Sequence, residues 1–235
     1  MQVDRALSEL QQQRQQFLRG DRELKEAIAG VSHDIRTPLT AICGYLALIE
    51  RETLPPETAE KLAHIDERVE ALQTLAEELL QYAAAASAAP LSLQPVNLSG
   101  VLEEELLAFR YALESRGIEP NITMPEKAVW CSLDRNAAVR VVENLLSNAV
   151  KYSGGDLTVR LTSAGELTLE NAAQLTQSEV QRLFERFYTV DACARSTGLG
   201  LSVAKLLTEK MGGAVSAACE NGRLILRVKF LPVKE

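Results

Sequence analysis

The sequence predicts two units in series: an α-helical hairpin that pairs with a second copy as a four-helix bundle, then a domain of α+β class. Three features carry this. Apolar residues step by four and three from Val3 to Ile35, and again from Leu62 to Ala83. The stretch AAAASAAPLSLQPV (83–96) interrupts that period with alanine, serine and two prolines. Beyond it the apolar residues alternate, in LTVRLT, ELTLE, AVSAAC and LILRVKF. One face of a helix recurs every three to four residues and one face of a strand every second, so a change of period marks a change of element.

The first helical stretch has a heptad seam: Val3, Leu7, Leu10, Phe17, Leu24, Ile28, Val31 and Ile35, with Arg14 and Asp21 in the two polar places. Polar seam residues can set register. The seam begins mid-pattern, so the helix is expected to continue upstream. A second seam follows the Pro55-Pro56 turn: Leu62, Ile65, Val69, Leu72, Ala76, Leu79 and Ala83. Two helices joined by a short turn form an antiparallel hairpin. A single apolar stripe needs a partner, and a homodimer buries both seams in one bundle. A coiled-coil spacer without chemistry is the plainer alternative.

After the interruption, residues 97–116 read as helix, 118–123 and 128–133 as extended, and 134–152 as helix with Asp134 as N-cap. The four alternating segments make a largely antiparallel sheet. Between them lies a helix from about Gly200 to Met211, closed by Gly212-Gly213.

Composition narrows the function. The 235 residues are 46% hydrophobic and 24% charged, as in a folded globular chain. A net charge of −7 argues against a dominant nucleic-acid partner, which would favour basic faces. The four cysteines (Cys43, Cys131, Cys193, Cys219) lie far apart with no ligand spacing, and read as reduced structural thiols. No run approaches the ~18 apolar residues of a membrane span, and no signal peptide is visible. The expected setting is cytoplasmic, with a membrane anchor conceivable only in an upstream segment of a longer parent.

Histidine is scarce, with two in the chain, and VSHDIRTPLT (31–40) contains one. With Ile28 and Ile35 at a positions, His33 falls opposite the seam. An incidental surface histidine is the plain reading. Three neighbours argue otherwise. Thr37, at i+4, shares the face of His33. Asp34 offers a carboxylate that could hold the imidazole in one tautomer, acting across the helix surface or on a later species. Pro38 removes the amide that would bond the carbonyl of Asp34, and a bend there exposes His33. His64 has none of these companions and is left as a surface residue.

In ENLLSNAVKYS (143–153), Asn144, Asn148 and Lys151 at i, i+4 and i+7 form one polar stripe, while Leu145, Leu146 and Ala149 point away from it. A solvated face is the bland alternative. Asparagine, however, is a middling helix former, and its amide oxygen can coordinate Mg²⁺. Lys151 and Tyr152 add a charge and a hydroxyl for phosphate or ribose. STGLGLSVAKLL (196–207) places Gly198 and Gly200 just before a helix, where backbone amides can approach phosphates. LFERFY (183–188) is an aromatic hinge upstream, and Thr189 to Thr197 reads as a short lid.

SHDIRTPLTAI resembles the phosphoacceptor box of the sensor histidine kinases, in the subgroup with His-Asp followed by Thr-Pro. The later motifs resemble that family's N, F and G2 boxes, so the likeness runs in order over roughly residues 21 to 230. The resemblance implies a dimeric phosphotransfer hairpin followed by an α+β sandwich of Bergerat type. It divides the chain into a coiled-coil signal helix (1–20), a dimerisation and phosphotransfer domain (21–88), a linker (89–96) and a catalytic ATP-binding domain (97–235). It implies that His33 receives phosphate from ATP, that Asp34 assists as base, and that Thr37 positions a water when the phosphorylated partner is dephosphorylated. It places Asn144, Asn148, Lys151, Tyr152, Asn171, Arg195, Thr197, Gly198, Leu199 and Gly200 at the nucleotide, with Mg²⁺ on Asn148. The partners implied are a second copy and a response regulator.

One box departs from the family. Where an Asp-x-Gly-x-Gly motif usually recognises adenine, this chain has LTLENAAQLT, with Asn171 in the place of the aspartate and no glycines. Weakened ATP binding is expected, with Glu170 the next candidate for the contact. The altered box leaves two competitors to the kinase. One is a kinase-deficient scaffold or phosphatase that binds the regulator through the hairpin. The other is an ATP-hydrolysing machine like the chaperone and topoisomerase relatives, disfavoured because Asn144 stands where their general-base glutamate would be.

Overall fold

The computed structural model describes residues 30, 35, 38–46, 48–49, 55–86, 90–190 and 196–233. The chain divides into two compact units, Met1–Ala89 and Pro90–Glu235. The seam from Val3 to Val31 lies outside the described residues.

In the first unit, residues 38–46 are helical and α1 runs from Pro56 to Ala86. Pro56 stands at the first helical position, where its missing N–H costs nothing. The carbonyl of Pro55 starts the ladder by accepting from Thr58 and Ala59 at 2.9 and 3.0 Å. Leu39 and Leu46 bury against Val69, with Cys43 and Leu62 packed alongside. The side chain of Gln73 reaches across the hairpin and donates to the Cys43 sulfur at 3.2 Å.

The second seam divides into two rows. Val69, Ala76 and Ala83 are buried, while Ile65 and Leu72 are each 47% exposed. At about 100° per residue, a three-residue step turns the second row about 60° around the helix. One row therefore faces into the hairpin while the other faces out of it.

In the second unit, strands β1 (Gln94–Asn97) and β3 (Trp130–Leu133) form a small antiparallel pair. The main sheet has the order β2-β4-β5-β7-β6, with β2 (Glu119–Thr123), β4 (Asp156–Leu161), β5 (Glu166–Ala172), β6 (Ala214–Glu220) and β7 (Arg223–Lys229). β2 runs parallel to β4 and the other pairings are antiparallel. Leu157, Val159 and Leu161 of β4 and Leu167 and Leu169 of β5 are buried, so one face of the sheet is the core face. Helix α4 (Arg135–Tyr152) packs against β5, and flanking it are α2 (Leu98–Ala108) and α6 (Gly200–Lys210). This is a sandwich of helices on a mixed sheet.

Local chemistry accounts for most boundaries. The carboxylate of Asp134 accepts from the N–H of Ala137 at 3.0 Å, capping α4 as expected. The anticipated helix over 97–116 breaks at Phe109 into α2 and the short α3 (Arg110–Ser115). Two further elements were not anticipated. Gln94–Asn97, expected to end a linker, is strand β1, because β3 supplies its ladder partners. Helix α5 (Gln177–Arg182) starts at Thr176, whose side chain and that of Glu179 cap each other's backbone N–H groups. That Thr-x-x-Glu spacing is a helix-start signal present in the sequence.

Candidate functional site

Helix α4 turns its apolar side, including Leu145, Leu146 and Ala149, into the core. Its polar stripe therefore lies along the other side. The amide N–H₂ of Asn144 donates to the carbonyl of Arg140, one turn back, at 2.8 Å. Its oxygen lies at Gly200, where an added Cβ would come within 2.8 Å of it. The fold thus brings the polar stripe and the glycine box together, and a side chain at position 200 would have to displace the Asn144 amide.

Asn148, one turn further along, has an amide oxygen that is buried and has no hydrogen-bond partner. Such a group costs free energy unless a donor or cation meets it. Lys151 is exposed and Tyr152 half-buried at the end of the same helix.

Gly198 has φ +70°, and an added Cβ would lie 2.5 Å from the carbonyl oxygen of Tyr188. Both the conformation and the space exclude a side chain. The N–H of Phe187 donates to the carbonyl of Gly198 at 3.1 Å, so the aromatic stretch and the glycine box are bonded to each other. Phe187 itself has φ 61°, unusual for a bulky residue and a mark of local strain. The guanidinium of Arg182 stands 4.1 Å above the ring of Tyr188, and the Lys205 ammonium lies 6.0 Å from the Phe184 ring centre. Leu199 is fully buried, and its N–H donates to the hydroxyl of Thr197 at 3.3 Å.

Asn171 lies near the end of β5 on the core face and is only 2% exposed. Its amide N–H₂ donates to the carbonyl of Ala172 at 3.1 Å. A carbonyl can only accept, so this bond fixes which end of the amide faces it and leaves the Asn171 oxygen as an acceptor. Glu170 points to the opposite face of the sheet, where it pairs with Arg223. The alternation of β5 therefore separates the two candidates for the adenine contact: only Asn171 is on the helix-covered side.

His33, Asp34, Thr37 and Arg195 lie outside the described residues. His64 is an exposed residue on α1, its ring nitrogen 3.9 Å from the Glu67 carboxylate. Cys43, Cys131 and Cys219 are free thiols, and burial pushes that of Cys131 up to about 11. Phe187 falls in the aromatic stretch read from the sequence, whereas Arg223 was not anticipated. The Asn221-Gly222 dipeptide, a hairpin signal, could have placed Arg223 at the start of β7.

Helix α4, the end of β5 and the start of α6 thus carry these polar groups, in a unit that follows a helical hairpin in the chain. The family model described as "Histidine kinase-, DNA gyrase B-, and HSP90-like ATPase" matches residues 133–234. That described as "His Kinase A (phospho-acceptor) domain" matches residues 23–87. The chain is 28% identical over 214 residues to the sensor histidine kinase YcbM of Bacillus subtilis, covering 86% of this chain and 69% of that protein. It is 29% identical over 230 residues to the sensor protein SrrB of Staphylococcus aureus, covering 92% of this chain but 39% of that one.

Among solved structures, full-length ShkA in complex with AMPPNP superposes with a TM-score of 0.68 at 25% identity, over 89% of this chain and 47% of that one. The histidine kinase AdeS of Acinetobacter baumannii shares the fold, with a TM-score of 0.58 at 24% identity over 86% of this chain and 98% of that one. This chain thus spans less than half the length of SrrB and of ShkA. It belongs to the sensor histidine kinases of two-component systems. No helix of the described residues is long and apolar enough to cross a membrane.

Proposed function

We propose that this chain binds ATP with Mg²⁺, phosphorylates its own His33 and passes the phosphoryl group to an aspartate of a response regulator. In the first transfer a nitrogen of the His33 imidazole bonds to the γ-phosphorus and the bond to the bridging oxygen of ADP breaks. Asp34 takes the imidazole proton, and ADP leaves. Thr37 serves the reverse duty, positioning a water that dephosphorylates the regulator. Residues 21–88 act as the dimerising phosphotransfer unit and 97–235 as the catalytic unit. The outward row of Ile65 and Leu72 supports a homodimer, since it presents apolar surface that a second hairpin would cover.

The observation that carries the nucleotide reading is the partnerless buried oxygen of Asn148, on the same helix face as the Asn144 amide that approaches Gly200. Among the described residues no cluster of three His, Cys, Asp or Glu is able to hold a metal. A Mg²⁺ at Asn148 would thus be held by that amide oxygen together with nucleotide phosphates and waters, a usual arrangement for this ion. When bound, it would neutralise charge on the transferring phosphoryl group. Asn144, Lys151, Tyr152, Arg195, Thr197, Gly198, Leu199 and Gly200 would line the rest of the nucleotide, and Asn171 would accept from the adenine amino group.

A kinase-deficient scaffold is the second reading, favoured by the exchange of a carboxylate for Asn171. The free acceptor on Asn171 weighs against it, because a neutral hydrogen bond still contributes ~0.5–1.5 kcal/mol. Incubation with γ-labelled ATP and Mg²⁺ separates the two. Acid-labile label on the parent, none on His33→Gln, and none on Asn148→Ala is the expected result. Acid-stable label, or label retained on His33→Gln, sinks the assignment. An unlabelled parent that nevertheless dephosphorylates a regulator establishes the scaffold.

A further inference from the structure

The mechanism leaves one charged cluster unused. On the solvent face of the sheet, at the end of β5, Arg223 stands between two carboxylates. Its Nη2 lies 2.7 Å from Asp156 at the start of β4, and its Nε donates to Glu170 of β5. Asp156 in turn accepts from the backbone N–H of Ala172, at 2.9 and 3.2 Å to its two oxygens. Glu170 and Ala172 are the two residues that flank Asn171. One arginine therefore ties down both neighbours of the proposed adenine contact, from the opposite side of the sheet.

The register explains how it gets there. Asn221 (φ 52°) and Gly222 (φ 73°) form a two-residue turn between β6 and β7, with both residues in the left-handed region. Such a turn fixes the pairing of its strands. It sets Arg223 opposite Glu220 of β6, and the pairing of β7 with β5 places Arg223 opposite Ala172 and Leu224 opposite Asn171. The N–H of Ala173 then donates to Gly222 at 3.0 Å, so the ladder continues one residue past the strand. The Ala172 N–H bond, and after it the Arg223 guanidinium, also hold the Asp156 carboxyl below the usual carboxylate range.

We propose that Arg223 is a positioning residue for adenine recognition: it fixes the end of β5 so that the Asn171 oxygen is presented at a set place. The inference rests on the nucleotide reading above. It gives physical content to the altered adenine box, in which a neutral amide replaces a carboxylate. A weaker hydrogen bond depends more steeply on being held in the right geometry, since misalignment forfeits it without a charge to compensate.

The test is calorimetric titration of the full chain with ATP and, separately, with GTP, both with Mg²⁺. Arg223→Ala should weaken ATP binding by about threefold, the scale of a part-exposed ion pair, and leave GTP binding unchanged. In an Asn171→Ala background the same change should have no further effect on ATP. Arg223→Lys should recover part of the loss, as it keeps the charge but not the two-pronged geometry. Glu170→Gln opens the same clamp from the other end and should reproduce the Arg223→Ala pattern. It carries the test if the arginine variant does not fold.

Equal losses for ATP and GTP would make Arg223 a general support of the fold and overturn the proposal. Unchanged ATP binding, or an additive effect with Asn171→Ala, would overturn it too. A parent that binds ATP no better than GTP would overturn the adenine reading itself, and this inference with it.

Discussion

The helical hairpin and the sandwich unit solve the same problem differently. In the sandwich, Leu98, Leu102, Leu145, Leu146, Leu167, Leu199 and Phe230 are almost completely removed from water by residues of their own unit. In the hairpin, only half of the α1 seam is covered, and Ile42, Tyr45, Leu48, Ile65 and Leu72 remain exposed. A sheet covered by helices closes a three-dimensional core, whereas two helices leave apolar flanks that only further helices can cover. The sandwich thus closes a core of its own, whereas the described part of the hairpin leaves an apolar row uncovered.

Substitution in the sandwich core should have the largest effect. Leu145 is fully buried between α4 and the sheet, so Leu145→Ala should cost about 2–5 kcal/mol. Calorimetric melting should show this loss in one transition, independent of protein concentration. A concentration-dependent transition would mean that the sandwich also depends on a second copy, and the contrast would fail.

The outward row of the hairpin gives the next test. Replacing Ile65 and Leu72 together by Ser should turn the proposed dimer into a monomer in sedimentation equilibrium. The transition of the sandwich should move by no more than about 0.5 kcal/mol, as expected for distant surface changes. A variant that still dimerises would place the partner surface elsewhere on the hairpin.

The smallest effect concerns thiol chemistry. Cys131 lies in the sandwich core with its pKa pushed up to about 11 by burial, and Cys43 is a half-buried thiol of the hairpin. At pH 8 the Cys131 thiolate fraction is on the order of one in a thousand, before its inaccessibility is considered. A maleimide should therefore modify Cys43 long before Cys131. Modification at equal rates would show that the sandwich opens as readily as the hairpin, and would remove the contrast between them.

Much of this was legible in the chain, and the reason is that the signals are local. The alternation of LTVRLT and ELTLE gave β4 and β5, Asp134 capped α4, and the spacing of Asn144, Asn148 and Lys151 gave the polar stripe. The phosphoacceptor motif carried its own identity, although His33, Asp34 and Thr37 fall outside the described residues. Periods, caps and turns depend on side chains within one or two turns of each other, so a sequence is enough to read them.

What tertiary structure alone decided depends on contacts between residues far apart in the chain. A four-residue segment containing Pro95 reads as linker until β3 is present to pair with it. The seam of α1 looks like one stripe until Leu39 and Leu46 select its inner row. Glu170 and Asn171 are adjacent in sequence, and only the packing of α4 on β5 and the position of Arg223 send one outward and bury the other. The approach of Gly200 to Asn144, across 56 residues, is likewise set by how α6 packs beside α4. Periodicity fixes which residues share a face. Which face is buried, and against what, follows from the long-range packing that lowers the free energy of the whole unit.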